Sequence, residues 1–320
     1  MAKPLGIPAS RRAFLGTAVM LFAACSSAPQ EAPKSESIER TVYLMGTEVQ
    51  LTIEATTRAD ALAASEAALR ALETAEQRLT TWKPEGELAR VNAGAAPTAT
   101  LAAELHEASA WAERTEGAFQ AQTAALVSAW GLRGQHHIPS QPELDKALAQ
   151  PGGWDEGGFG KGAALRDAAR ALEAQPSVTR ATLDLGGQWL LVGAGEFELE
   201  VAHPHERDQS IGQLRVPAGS VATSGNSERG GIQVNGHRVG HILDPRTGYP
   251  ARDFGSVTVV HRDPFAADCL STALFVLGPE RALAWANEDP SFGVVIAELN
   301  PDGLRIRVSQ DLAPHFHPIP

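Results

Sequence analysis

Three stretches of the chain hold residue types that could do chemistry together. In "ADCLSTALFVLG", Asp268 and Thr272 are four apart on a predicted helix, so they project from one face about one turn apart. A carboxylate and a hydroxyl in an acidic chain suggest an oxygen-only site, which suits hard Mg²⁺. The same pair could instead serve as a helix cap and a back-bond to a carbonyl. In "HILDPRTGYPA", His241 stands at the entrance to a turn that Asp244-Pro245 opens and Gly248 closes. An imidazole there is either a cap or a general base, with an ordinary pKa near about 6.5 that makes it usable at neutral pH. In "WDEGGFGKGAAL", a glycine-rich turn runs into an amphipathic helix, whose free N–H groups and positive dipole end suit phosphate. This is not a P-loop, because Asp155 stands where its first glycine belongs and Gly162 replaces Ser/Thr. All three features would suit a diphosphate. The helix start would grip its oxygens, a cation would bridge them, and His241 would take a proton from a nucleophile, a contribution of about 10²–10⁴-fold.

The elements that must position these residues can be read from pattern. "RTVYLMGTEVQLTIEA" reads as strand, with an inward parity that switches at Met45-Gly46-Thr47; a bulge or break is expected there, aiming Met45 at a pocket. Arg58 to Leu79 reads as a scaffold helix with Leu62, Leu69, Leu72 and Leu79 on one stripe. Further helices are expected from Leu101 to Glu116, stopped by Gly117, around Pro142 to Ala149, and after the glycine-rich turn. Short strands follow, then the helix with Asp268, another helix and the strand "FGVVIAEL". Helices cluster early and strands late, so the class is α+β, without internal repeats.

The ends and totals bound the setting. "SRRAFLG" is a twin-arginine pattern, followed by an apolar run to Ala24 and small residues before Cys25. That run is shorter than the roughly 20 residues a spanning helix needs. It reads as an export signal over residues 1–25, ending at a lipidated Cys25 that anchors the protein to a membrane without spanning it. Residues 26–40 begin with a Ser/Pro/Glu-rich stretch and read as a flexible tether, leaving 41–312 as one large domain or two packed lobes. Losing the three basic residues before Cys25 takes the formal charge from −11 to −14. With no basic block, nucleic acid is excluded as a partner. Cys269 would then be the one remaining cysteine, a small packed side chain in an apolar context.

The order and wording of these segments resemble the ApbE family, the FAD:protein FMN transferases. The matching pieces are "MGTEVQLTI", "LTTWKPEGELARVN", "TEGAF", "ALVSAWG", "DEGGFGKG", "LDLGG", "VATSGNSER", "HILDPRTGYP" and "ADCLSTALFVLG", spanning residues 41–278 in the family's order. The resemblance implies an ApbE-like, T-fold-related α+β fold, with antiparallel sheets and packed helices forming a cleft. It implies Mg²⁺-dependent transfer of FMN from FAD to a Thr or Ser of an exported client protein, with release of AMP, facing the periplasm. A Mg²⁺-dependent FAD pyrophosphatase and a non-catalytic flavin-binding lipoprotein are the alternatives. By position, Met45, Trp82, Ala118 and Phe119 would line the flavin site. Asp155, Lys161 and Leu243 would also contact FAD, and Gln120 could hydrogen-bond adenine or flavin. Asp268, Thr272 and the Gly158 carbonyl would hold Mg²⁺, and His241 would activate the client hydroxyl. The chain departs from the family pattern at Gln120, Ala121, Ala163, Arg166, Gln188, Asn226 and Ser227. Asp is usual at Gln120, Arg166, Gln188 and Asn226.

Overall fold

The computed structural model describes residues 35–150, 152–226, 232–234 and 237–319. The twin-arginine segment, Cys25 and Ser227 lie outside the described residues. Strands β1 (Glu36–Leu44) and β2 (Thr47–Ala55) pair antiparallel, from Glu36 opposite Ala55 to Leu44 opposite Thr47. The parity switch at Met45-Gly46 is therefore a two-residue hairpin turn rather than a bulge. Both positions have positive φ, 52° and 77°, as a type I′ turn requires. The tether expected to reach residue 40 gives way at Glu36, because Ile38 and Arg40 are partly buried along β1.

Helix α1 (Arg58–Leu79) starts at Thr57, whose hydroxyl accepts the Asp60 N–H at 3.1 Å. Its buried stripe is Ala61, Ala64, Ala68, Leu72, Ala75 and Leu79, with Leu69 beside it. Leu69, Leu72 and Leu79 are buried as expected, but Leu62 falls off that stripe and is 48% exposed, because Ala61, Ala64 and Ala68 take the packed face at that end of the helix. Then come α2 (Glu87–Asn92), α3 (Ala99–Arg114), α4 (Ala124–Ala129), α5 (Gln141–Ala149) and α6 (Gly160–Glu173). The strands β3 (Val178–Leu185), β4 (Gln188–Gly193), β5 (Phe197–Ala202), β6 (Ser210–Val216) and β7 (Gly219–Gly225) follow. A short pair, β8 (Ile232–Val234) and β9 (His237–Val239), precedes β10 (Gly255–His261). Helices α7 (Pro264–Leu277) and α8 (Pro279–Glu288) lead to β11 (Phe292–Asn300), β12 (Gly303–Val308) and β13 (Phe316–Pro318).

Eight strands form one antiparallel sheet in the order β1-β2-β3-β4-β7-β10-β11-β12, and β13-β6-β5 form a second. Alternation sorts the large sheet's two faces. Leu190, Val257, Val259, Val294 and Ile296 pack with the helices, while Leu191, Val221, Val295 and Ala297 pack with Leu199, Leu214 and Phe316 of the small sheet. Strand β13 carries the fold past the expected end at 312, since Phe316 pairs with Leu214 and is buried. Two hairpin turns, Met45-Gly46 and Gly186-Gly187, lie at one end of the large sheet, where Val49 is opposite Leu185. A Cβ on Gly186 would come within 2.8 Å of Thr47 Oγ1. Among the described residues, no helix is long and apolar enough to cross a membrane.

Candidate active site

The crossing of α6 and α7 brings the glycine-rich turn and the Asp268–Thr272 pair together. Helix α7 begins with Asp263 as its N-cap, accepting the Ala266 N–H at 3.2 Å, and Pro264 follows in the first turn. Asp268 is therefore not the cap of its helix. It is buried, and its Oδ2 accepts the Gly162 N–H at 2.9 Å across the helix crossing. Glycine at 162 permits this approach, because a Cβ there would lie 2.8 Å from Phe265 Cα and 2.9 Å from Asp268 Cβ. Asp268 Oδ1 faces the Lys161 ammonium at 3.5 Å, well beyond a strong charge-assisted bond. One turn along α7, Thr272 meets the same segment: a methyl group on Gly158 would be 3.4 Å from Thr272 Cγ2 and 3.0 Å from Phe119 Cε2. Met45 arrives from the hairpin turn, with Cε 3.9 Å from where a Gly160 Cβ would stand.

Asp155 and Glu156 form the rim of this site. Asp155 accepts the Gly157 N–H at 2.9 Å and pairs with Arg133, which also reaches Glu156 at 3.0 Å. The Arg133 guanidinium lies over the Trp82 ring, 5.2 Å from its centroid. Thr81 donates to Glu156 at 2.8 Å. Burial and the neighbouring Asp155 push the Glu156 carboxyl up from its usual range, against the pull of Arg133. Arg133 thus links Trp82 to both acids; its place in "GLRG" carries no signal that would have revealed this.

The His-turn is rigid for reasons visible in its bonds. Asp244 O accepts from Gly248 N–H at 2.8 Å, and Asp244 N–H donates to Tyr249 O at 2.8 Å. The Asp244 carboxylate takes two bonds from the Arg246 guanidinium, both at 2.8 Å. Trp130 Nε1 donates to Gly248 O at 2.8 Å. Asn226, at the end of β7, is buried and its Oδ1 accepts the His241 N–H at 3.2 Å. Two residues earlier, Ser224 bonds Ser271 at 2.9 Å, next to Thr272 on α7. The imidazole-bearing segment and the Asp268–Thr272 helix are thus tied to the same strand end. Two departures from the family pattern acquire roles here. Asn226 fixes the His241 backbone, and Gln188 donates from Nε2 to Pro264 O at 2.8 Å, holding the start of α7 as a carboxylate could not.

Other predicted residues are less gathered. The Leu243 side chain packs with Leu126, Trp130, Leu144 and Ala147 beneath the turn, and Ala118 is wholly buried in the main core. Gln120 bonds its own loop, accepting the Gln122 N–H at 3.0 Å. It lines a cavity of about 170 Å³ with Gly117, Leu148, Pro245 and Arg246, directly beside the His-turn. A larger cavity of about 430 Å³, lined by Arg114, Glu116, Leu277 and Trp285, lies at the far ends of α3 and α7, away from this chemistry. The donor set at the crossing is hard oxygen throughout, with one carboxylate oxygen only loosely paired. That fits a divalent cation which keeps several of its waters, as Mg²⁺ does. Among the described residues, no group of three or more His, Cys, Asp or Glu side chains is placed to hold a metal ion.

Comparison with known proteins agrees with this architecture. The FAD:protein FMN transferase of Treponema pallidum (strain Nichols) is 31% identical over 297 residues, covering 78% of this chain and 80% of that protein. The FAD:protein FMN transferase of Escherichia coli (strain K12) is 27% identical over 310 residues, covering 85% and 88%. The crystal structure of the ApbE protein from Thermotoga maritima superposes with a TM-score of 0.79 at 25% identity, covering 88% of this chain and 99% of that one. Residues 45–296 match the ApbE family, a span from the Met45 turn to the last strand of the large sheet but one. The chain belongs to the ApbE family.

Proposed function

We propose that this protein transfers FMN from FAD to a Thr or Ser hydroxyl of an exported client protein, releasing AMP. The observation that carries the reading is the meeting of the glycine-rich start of α6 with Asp268 and Thr272 of α7, at the strand end that also holds His241. The names of the relatives point the same way.

In this reading the amino end of α6 and Lys161 attract the diphosphate of FAD. Met45, Phe119 and the exposed Trp82 border the space for the flavin, and Arg133 holds the Trp82 ring and the Asp155 carboxylate in place. When bound at Asp268, Thr272 and the Gly158 carbonyl, Mg²⁺ supplies charge neutralisation on the diphosphate. His241, fixed at its backbone by Asn226, takes the proton of the client hydroxyl as its oxygen bonds to the phosphorus of the FMN half. The bond from that phosphorus to the bridging oxygen breaks, and AMP leaves with the electron pair. Cys25 would carry lipid that anchors the protein to a membrane, facing the periplasm; Cys25→Ser should release it into the soluble fraction.

The test mixes the protein with FAD, Mg²⁺ and a candidate client carrying an Asp/Ser-x-x-Ser/Thr-Gly/Ala-Thr segment, and reads flavin fluorescence on the client after denaturing electrophoresis. Fluorescence on the client supports transfer. Free FMN and AMP alone would make the protein a pyrophosphatase, and bound FAD without turnover would make it a binding module.

A further inference from the structure

Arg166 takes no part in the site as described, yet it sits on α6 one turn after Gly162 and on the same face. Its guanidinium forks twice. Nε donates to Asp263 Oδ1 at 2.7 Å while Nη2 bonds Asp263 Oδ2. Nη1 and Nη2 also donate to the two Glu107 oxygens at 2.6 and 2.7 Å. The same group lies over the Phe265 ring, 4.6 Å from its centroid. One side chain therefore joins α3, α6 and the first turn of α7.

What it grips on α7 is the N-cap. Asp263 accepts the Ala266 N–H, and five residues further on Asp268 meets Gly162. Helix α6 thus touches α7 at two points of one face: Arg166 at the cap, and Gly162 against Phe265 and Asp268. Two such contacts fix both the slide and the rotation of α7. The energetics favour orientation over bulk stability. The side chains of Asp263 and Glu107 are 33% and 36% exposed, where ion pairs contribute little to stability. Paired forks nevertheless impose geometry that a single charge does not.

We propose that Arg166 is a positioning residue for the cation pair: by holding Asp263 it sets Asp268 against the Gly162 N–H and Thr272 beside Gly158. The inference rests on the reading of Asp268 and Thr272 as Mg²⁺ ligands.

The experiment measures Mn²⁺ binding to the full-length protein with FAD present, by electron paramagnetic resonance, together with the Mg²⁺ concentration for half-maximal FMN transfer. Arg166→Met should weaken Mn²⁺ binding by about 10–100-fold, as loss of an outer partner of a metal ligand does. The Mg²⁺ requirement should rise by the same factor, with kcat recovered at saturating Mg²⁺. Arg166→Lys, which keeps the charge but not the fork, should fall between. Asp263→Asn retains an oxygen for the helix cap and should mimic Arg166→Met, and the double variant should add little to either. Arg307→Met breaks a comparable ion pair with Glu298 and Glu280 far from the crossing and should leave Mn²⁺ affinity unmoved. Unchanged Mn²⁺ binding in Arg166→Met, or an equal loss in Arg307→Met, overturns the proposal, as does a wild-type protein that binds no Mn²⁺. Wild-type protein that binds Mn²⁺ and FAD without transferring FMN overturns the functional reading instead, and the dependence on Arg166 is still read from Mn²⁺ affinity.

Discussion

Helix α6 carries two buried carboxylate arrangements on different faces, and they differ in how fully their charges are paired. Towards α1 and α3, Arg78 donates to both Glu104 oxygens at 2.9 and 2.8 Å and to Asp167 at 2.6 Å. Towards α7, Asp268 has one backbone N–H at 2.9 Å and an ammonium at 3.5 Å. The first cluster is closed: a cation is already present and bonded as tightly as geometry allows. The second is open, with a buried carboxylate oxygen for which the chain supplies only a distant partner. A buried charge costs several kcal/mol unless paired; in the proposed reading the loosely paired Asp268 oxygen is where a cation from solution would sit. Glu104 and Asp268 are both buried, and what separates them is how they are paired.

The sharpest way to break this comparison is to remove the open charge. Asp268→Asn keeps an oxygen for the Gly162 N–H and changes almost no volume. FMN transfer should fall by about 10³-fold or more, with the melting temperature close to that of the wild type. A large loss of stability instead would mean that Asp268 is as structural as Glu104. His241→Ala should slow transfer by about 10²–10⁴-fold, yet leave FAD affinity, read by fluorescence quenching, near the wild-type value. A matching loss of FAD affinity would make the imidazole a binding group and not a base.

Opening the closed cluster should have the opposite signature. Arg78→Met leaves the buried Glu104 without its cation and Asp167 with only Arg170 at 3.5 Å, a change that costs about 3–5 kcal/mol of stability. In urea unfolding the midpoint should drop, while kcat and the KM for FAD of the folded protein stay unchanged. Activity lost without a stability change would place that cluster in the chemistry. Between these extremes, Gly162→Ala touches both properties. Its methyl would press on the α7 backbone, an overpacking cost of about 1–3 kcal/mol, and would part Asp268 from the N–H it accepts. Stability and the Mg²⁺ requirement should therefore worsen together.

The sequence made the helices legible wherever one pattern dominated. The bounds of α1 follow from its composition, and the glycine-rich approach to α6 and the start of α7 follow from turn and cap chemistry. What it concealed were contacts between distant segments. Leu62 reads as core until the alanine stripe of α1 is seen to pack instead. The Met45-Gly46 parity switch reads as a bulge or break and is a hairpin reversal, because a period-two pattern cannot tell a kink from a reversal. Asp268 and Thr272 announce themselves as a pair by spacing alone. Their partners Gly162 and Gly158 lie over a hundred residues earlier, and nothing local marks Arg133 as a partner of Asp155, Asn226 as a partner of His241, or Arg166 as a partner of Asp263. The departures from the family pattern are in part exchanges. Gln188 and Arg166 hold α7 by donating hydrogen bonds, which the usual acids at those places could not do.

The smallest expected effect concerns the turn that delivers α7 to the open site. His261, the last residue of β10, has Nδ1 2.9 Å from the Asp263 N–H, which it accepts when that nitrogen is unprotonated, and 3.1 Å from the Asp263 carbonyl, to which it donates when protonated. Burial lowers the His261 pKa below its ordinary value, against the backbone hydrogen bond to Asp263 and the Asp263 and Asp289 charges, which pull it back; Arg114 adds to the lowering. The sign follows from proton binding. As pH falls through the ordinary histidine range, the unfolded chain takes up the proton first, so stability is present above that range and declines below it until the folded imidazole also titrates. Asp263 adds to the same trend at lower pH: although burial pushes its carboxyl up, Arg166 holds it below the usual range, so stability present above the ordinary Asp pKa is lost as pH falls through the depressed one. His261→Asn should flatten the first of these declines in thermal melts taken stepwise from neutral pH to below the ordinary Asp pKa, and leave the second. A profile in which His261→Asn changes nothing would mean that the imidazole is free to protonate in place, and that the cap of α7 is held from the Arg166 side alone.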